Sequence, residues 1–109
     1  MNYIISESQL DKIIFRYLDN RNFIVVETQN KIFFTYSKDD EQAQIRYDKN
    51  FDRCFVYFEI INKISDFLPV SSVEVRECIS RWVAHTLNVK VLESYYVGYT
   101  TYYLVKMSD

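Results

Sequence analysis

Apolar residues recur at two different periods along this chain, and each change of period marks a change of element. Leu10, Ile13, Ile14, Tyr17 and Leu18 fall three and four apart, the spacing of one helical face. Ser6 and Gln9 stand before them at capping-box spacing, with Ile5 and Leu10 as the hydrophobic staple. Glu7 and Asp11 lie early and Lys12 and Arg16 late, as the helix dipole favours. The pattern predicts a helix over 7–19, ended by Asn20, Arg21 and Asn22. Alternation then takes over. Residues 23–28 and 31–37 are β-branched and aromatic runs joined by Gln29-Asn30, which predicts a hairpin with Ile32, Phe34 and Tyr36 on one face. Beyond the polar loop Lys38-Asp39-Asp40-Glu41, residues 42–48 alternate, with Ala43, Ile45 and Tyr47 inward and Gln44 and Arg46 outward. That is the pattern of a strand wet on one face. After the turn 49–52, residues 53–58 are apolar on both sides and should lie deeper in the sheet.

Helical spacing returns in Ile60, Ile61, Ile64, Phe67 and Leu68, until Pro69 stops it. Ser71 and Glu74 form a second capping box, with Val70 and Val75 as its staple. Val75, Ile79, Trp82, Val83 and Thr86 make the buried stripe of the helix that follows, Glu77 and Arg81 can pair at i,i+4 outside it, and Asn88 ends it. Residues 89–96 and 100–107 read as a hairpin turning at Gly98-Tyr99. Its register puts Val91, Glu93, Tyr95, Tyr102 and Leu104 on one face, and Leu92, Tyr96, Tyr103 and Val105 on the other. With no linker, repeat or low-complexity stretch, the order α-β-β-β-β-α-α-β-β predicts a single α+β domain over 1–109. Its sheet would be antiparallel, with the helices packed on one face.

Composition narrows the reading. The chain has ten Tyr and eight Phe but one Gly, one Pro and two Ala, the usage of an AT-rich gene, so coding bias supplies part of the tyrosine excess. Thirteen basic and fifteen acidic residues are interspersed, for a net charge of −2, which leaves no electrostatic footprint for duplex nucleic acid or an anionic membrane. Cys54 and Cys78 fall in a strand and a helix pattern, which predicts reduced core thiols. No apolar run has the length of a membrane span, and the N-terminus lacks a signal layout, so a cytoplasmic location is the expectation.

Catalytic inventory is thin. His85 is the one histidine, there is no C-x-x-C or H-E-x-x-H spacing, and one glycine cannot build a phosphate loop. Cys78 and His85 lie seven residues apart on one predicted helix, roughly 10 Å, whereas a nucleophile and its base need about 3 Å. Glu59 marks a helix entry, and Asp39-Asp40-Glu41 lacks the spacing of a calcium loop. The expectation is therefore a non-enzymatic protein without cofactor or metal. The working surface should be the C-terminal cluster Tyr95, Tyr96, Tyr99, Tyr102 and Tyr103, whose rings suit a partner protein or a second copy in a homo-oligomer. The alternative is a single-stranded nucleic-acid binder, in which Arg46, Arg53, Lys31 and Lys49 combine with Tyr36 or Tyr47 as a stacking platform. Asp48, Asp52 and Glu27 lie among those cations and oppose that use.

The opening MNYIISESQLDKII, through Ile4, Ile5, Ser6, Glu7, Ser8 and Gln9, resembles the starts of small uncharacterised proteins encoded by tailed bacteriophages. Many of those carry an I-[IT]-E/S-x-S/E-Q pattern just after Met. The resemblance implies an accessory, virion-assembly or host-interaction role, in the bacterial cytoplasm or the virion, and carries over no functional residue.

Overall fold

Both predicted capping boxes form. Ser6 and Ser71 each accept from the backbone N–H three residues on, while Gln9 and Glu74 reach back to the cap N–H, satisfying donors that a helix start otherwise leaves open. The computed structural model describes residues 6–36 and 43–98. In them, α1 (Glu7–Asp19) is followed by β1 (Ile24–Glu27), β2 (Lys31–Thr35), β3 (Ile45–Asp48) and β4 (Arg53–Tyr57), then α2 (Phe58–Ser65), α3 (Ser72–Leu87) and β5 (Glu93–Val97). Among the described residues three bends need a left-handed backbone, and in a chain with one glycine they fall to Asn22, Asp52 and Asn88, residue types that tolerate it. Asn88 closes α3 there, its N–H bonded to the Ala84 carbonyl. The helix of 60–68 stops earlier than Pro69, at Ser65, and leaves Phe67 exposed; on α3, Thr86 is exposed rather than part of the buried stripe.

The strands form one sheet in the order β1-β2-β3-β4-β5. The first four are an antiparallel meander, but β5 lies parallel to β4, with Arg53 beside Glu93, Phe55 beside Tyr95 and Tyr57 beside Val97. The sheet is therefore mixed, which corrects the antiparallel expectation. The cause is the connection: α2 and α3 carry the chain from the end of β4 back to its beginning, and such a crossover delivers a parallel neighbour. The second strand of the predicted C-terminal hairpin lies outside the described residues.

Register assigns each side chain to a face. Ile32, Phe34, Ile45, Tyr47, Cys54 and Val56 point to the helices and meet Leu10, Ile14, Leu18, Ile60, Ile61, Ile64, Val75, Cys78, Ile79, Trp82 and Val83 in one core. The opposite face carries Phe33, Arg46, Phe55, Tyr57, Tyr95 and Val97. This second face is not the wet one that 42–48 predicts: Arg46 is 6% exposed, and Phe33, Thr35, Gln44 and Tyr57 are buried with it.

Candidate functional site

Rows of cross-strand neighbours organise the helix-free face. One row reads Lys31, Asp48, Arg53, Glu93, alternating in charge across four strands. The next reads Phe33, Arg46, Phe55, Tyr95, and here the guanidinium of Arg46 lies 4.1 Å from the centre of the Phe55 ring, which in turn stacks on Tyr95 at 5.3 Å. Arg46 also touches Asp48, its Nε 3.0 Å from Oδ1 without the N–H being aligned on that oxygen.

At the β5 edge this face comes to the surface. Phe51 is 59% exposed on the turn between β3 and β4, and Tyr95 is 36% exposed on β5. Arg53 bridges them, its guanidinium 5.0 Å from the Phe51 ring and 6.0 Å from that of Tyr95. Leu92, 58% exposed, is drawn to the same turn because its N–H bonds the Asp52 carbonyl at 2.8 Å. Beneath the turn, Tyr47 donates to Asp52 at 2.6 Å and also lies 3.2 Å from the Lys90 carbonyl, which ties the turn to the approach to β5. Burial, with Asp52 as acceptor, pushes the Tyr47 phenol up to about 12. Tyr95 donates to Glu93, and that bond, ahead of burial and the Glu93 charge, raises its phenol.

The structure thus separates the tyrosines of the predicted surface. Tyr95 faces outward on the helix-free side. Tyr96 points to the helices, stacked on Phe58 at 4.7 Å with Arg76 4.5 Å over its other face, so it is half-buried packing. Tyr99, Tyr102 and Tyr103 lie outside the described residues. Phe51 is the surface residue here that periodicity misses. The available signal was an aromatic ring inside the polar turn Lys49-Asn50-Phe51-Asp52.

The cations of the stacking-platform alternative are buried or stand among acids, Lys31 beside Asp48 in the sheet. Arg46 is buried, Arg53 sits beside Glu93 at 3.5 Å, and Lys49 is held 2.6 Å from Glu27. Tyr47 is core, and Tyr36 stacks on Phe23 at 5.3 Å at the α1–α2 side, with Lys63 5.6 Å over its ring.

A separate polar cluster joins α1 to α3. Arg81 does not pair with Glu77, as i,i+4 spacing suggests; it grips Asp11, with Nη2 2.8 Å and Nε 3.0 Å from the carboxylate. The Cys78 thiol donates to the same carboxylate at 2.9 Å. Burial, then that bond, raises the Cys78 thiol, and His85 packs against Phe15 at 5.9 Å. Burial pushes Asp11 up, but the bonds from Arg81 and Cys78 and the Arg81 charge outweigh it and hold the carboxyl below 3.8. A depressed carboxyl contributes stability that is complete above its unfolded pKa and is lost as pH falls through the folded one. Asp11→Asn should therefore flatten the loss of stability as pH falls below about 4. Urea midpoints across that range check this, and an unchanged slope would refute it.

Among the described residues no three possible ligands are grouped to hold a metal ion, and no helix is long and apolar enough to cross a membrane. Comparison with family models, curated proteins and solved structures finds no match for the chain.

Proposed function

We propose that the chain is a non-enzymatic interaction protein that docks on another protein through the corner formed by Phe51, Leu92 and Tyr95 around Arg53. The observation that carries this reading is the exposure of Phe51 and Tyr95, 59% and 36%, on either side of the Arg53 guanidinium, with Leu92, 58% exposed, tied by its backbone to the same turn. Aromatic rings and arginine dominate the energetics of protein interfaces because they bury much area for little lost rotamer freedom. Here Arg53 and the stacked Phe55 hold Tyr95 in place before any partner arrives. A bacteriophage accessory role, in a host cytoplasm or a virion, accords with such a protein.

The test uses a partner retained by the immobilised wild-type chain, followed by a titration of each variant. Phe51→Ala with Tyr95→Ala should weaken that complex by at least about 30-fold, the loss of roughly 2 kcal/mol expected of a hot spot. Both side chains are exposed, so the fold should survive. Wild-type affinity in the double variant would remove the corner from the interface. Sedimentation of the purified protein decides whether the partner is a second copy. Binding of an oligonucleotide that falls steeply with salt would replace this reading with the stacking-platform one.

A further inference from the structure

Toward β1, at the end of the sheet away from that corner, lies a second exposed apolar surface. Ile13 on α1 is 41% exposed, Phe67 beyond α2 51% and Tyr36 at the end of β2 37%. Tyr17 joins them: it stands one turn from Ile13, and its ring centre is 5.3 Å from that of Phe67. Tyr36 in turn stacks on Phe23 at 5.3 Å. Burial raises the Tyr36 phenol, and Lys63, Tyr17, Arg21 and Glu59 all act on it by charge, which gathers those groups around one ring.

The rim of this surface is basic. Arg21 lies 4.6 Å over the Tyr17 ring and Lys63 5.6 Å over that of Tyr36. Lys12 and Arg16, one turn apart, continue the exposed side of α1 beyond Ile13. Lys12, Arg16 and Arg21 form no ion pair among the described residues. The acids near them offer little relief. Glu59 pairs with Lys63 at 3.3 Å, and Asp19 accepts from Trp82 on α3 at 2.9 Å. Asp66, next to Phe67 in the chain, is a single opposing charge.

Unpaired cations beside exposed apolar side chains call for a partner that brings both carboxylates and apolar groups. A lipid surface fits poorly, because a helix lying in a membrane inserts its apolar face, and that of α1 (Leu10, Ile14 and Leu18) is buried in the core. Nucleic-acid bases fit poorly too: Tyr17 already meets Phe67 and Arg21, and Tyr36 meets Phe23 and Lys63, so these rings pack among themselves. We infer that this surface docks an acidic amphipathic segment of a partner protein, its apolar side chains on Ile13, Tyr17 and Phe67 and its carboxylates on Arg16 and Arg21. The chain then has two docking surfaces, at opposite ends of its sheet.

The probe is a synthetic peptide of about 15 residues, long enough to form a helix on contact, with Leu and Phe on one face and Glu on the other. Titrated calorimetrically into the full chain in low salt, it should bind with a Kd below about 100 μM. Arg16→Gln with Arg21→Gln should weaken binding about 10-fold, and Phe67→Ala about 5-fold. All three side chains are exposed, so these variants should fold. Phe51→Ala with Tyr95→Ala should leave the affinity unchanged, which separates this surface from the other corner. A peptide with Lys in place of Glu should bind at least about 10-fold more weakly. Neither a single-stranded oligonucleotide nor phosphatidylserine vesicles should displace the acidic peptide. Asp39, Asp40 and Glu41 follow Tyr36 closely in the chain, and changing them together to Asn, Asn and Gln should not raise the affinity. No binding, wild-type affinity in the arginine pair or in Phe67→Ala, or a loss in the Phe51 and Tyr95 variant would each overturn the proposal. So would equal binding of the lysine peptide, displacement by oligonucleotide or vesicles, or a gain on neutralising those three acids.

Discussion

Trp82→Ala should lower the unfolding free energy by about 3–5 kcal/mol, the range for truncating a large aromatic ring in a packed core. The indole, 4% exposed, lies where α3 meets both α1 and the sheet. Its ring centre is 5.1 Å from that of Phe34 on β2 and 6.0 Å from that of Phe23. Its Nε1 donates to Asp19 at the end of α1 at 2.9 Å. Alanine removes the ring and the bond together. The cavity it leaves is bordered by the Phe34 ring, itself 1% exposed in the packed core and slow to collapse into it. Trp82→Phe keeps most of the apolar volume, and the Asp19 carboxylate it abandons is on an exposed residue and can return to water. That variant should therefore lose about 1–2 kcal/mol. A domain of this size has roughly 5–15 kcal/mol in total, so the alanine variant should stand near the edge of folding. Trp82 is the only tryptophan, so circular dichroism rather than fluorescence should follow the urea transitions. A loss under about 2 kcal/mol for alanine, or equal losses for both variants, would remove Trp82 from the centre of the core.

That Trp82 would be core was readable from its place in the stripe of Val75, Ile79 and Val83, because a helix of period 3.6 returns those positions to one side. The capping boxes at Ser6 and Ser71 were readable for a similar reason: every atom involved lies within four residues. What the sequence did not reveal depends on partners distant in the chain. Arg81 has Glu77 one turn away, yet a carboxylate arriving from α1 offers a two-point grip that the i,i+4 position does not match. Alternation through Gln44 and Arg46 correctly placed them on the face opposite Ile45 and Tyr47. It also predicted that this face meets water, which it does not: Arg46 is 6% exposed and ends over the Phe55 ring. The parallel seating of β5 is likewise absent from its own five residues, since it follows from where α3 releases the chain. The tyrosine cluster divides on the same ground. Adjacent residues on a strand face opposite ways, so of the two described tyrosines Tyr96 joins the helix side and Tyr95 faces outward toward Arg53 and Phe51, neither of which belongs to the cluster.

Two ion pairs of the sheet should respond very differently to loss of their acid, because burial, not distance, sets the effect. Lys49 approaches Glu27 to 2.6 Å, closer than the 3.0 Å between Arg46 and Asp48. Glu27 is, however, 63% exposed at its side chain, where solvent already screens the attraction. Lys49 also keeps the Thr28 carbonyl at 2.9 Å, so Glu27→Ala should change stability by about 0–1 kcal/mol. Asp48 and Arg46 are 17% and 7% exposed at their side chains, and the guanidinium lies over the Phe55 ring on the sheet face. Removing the acid leaves a positive charge in a poorly solvated place, a loss that breaking a buried pair sets at about 3–5 kcal/mol. The partial exposure of Asp48 and the cation–π contact with Phe55 reduce the expected loss for Asp48→Ala to about 2–4 kcal/mol. Salt separates the two further: raising sodium chloride from about 0.1 to about 1 M shortens the screening length from roughly 10 to 3 Å. It should erase the small Glu27 effect and leave most of the Asp48 effect. Urea unfolding of both variants at the two salt concentrations reads all four numbers. If Glu27→Ala proves the more damaging, or salt abolishes the Asp48 loss, then Arg46 is solvated and the helix-free face is the wet surface its alternation first suggested.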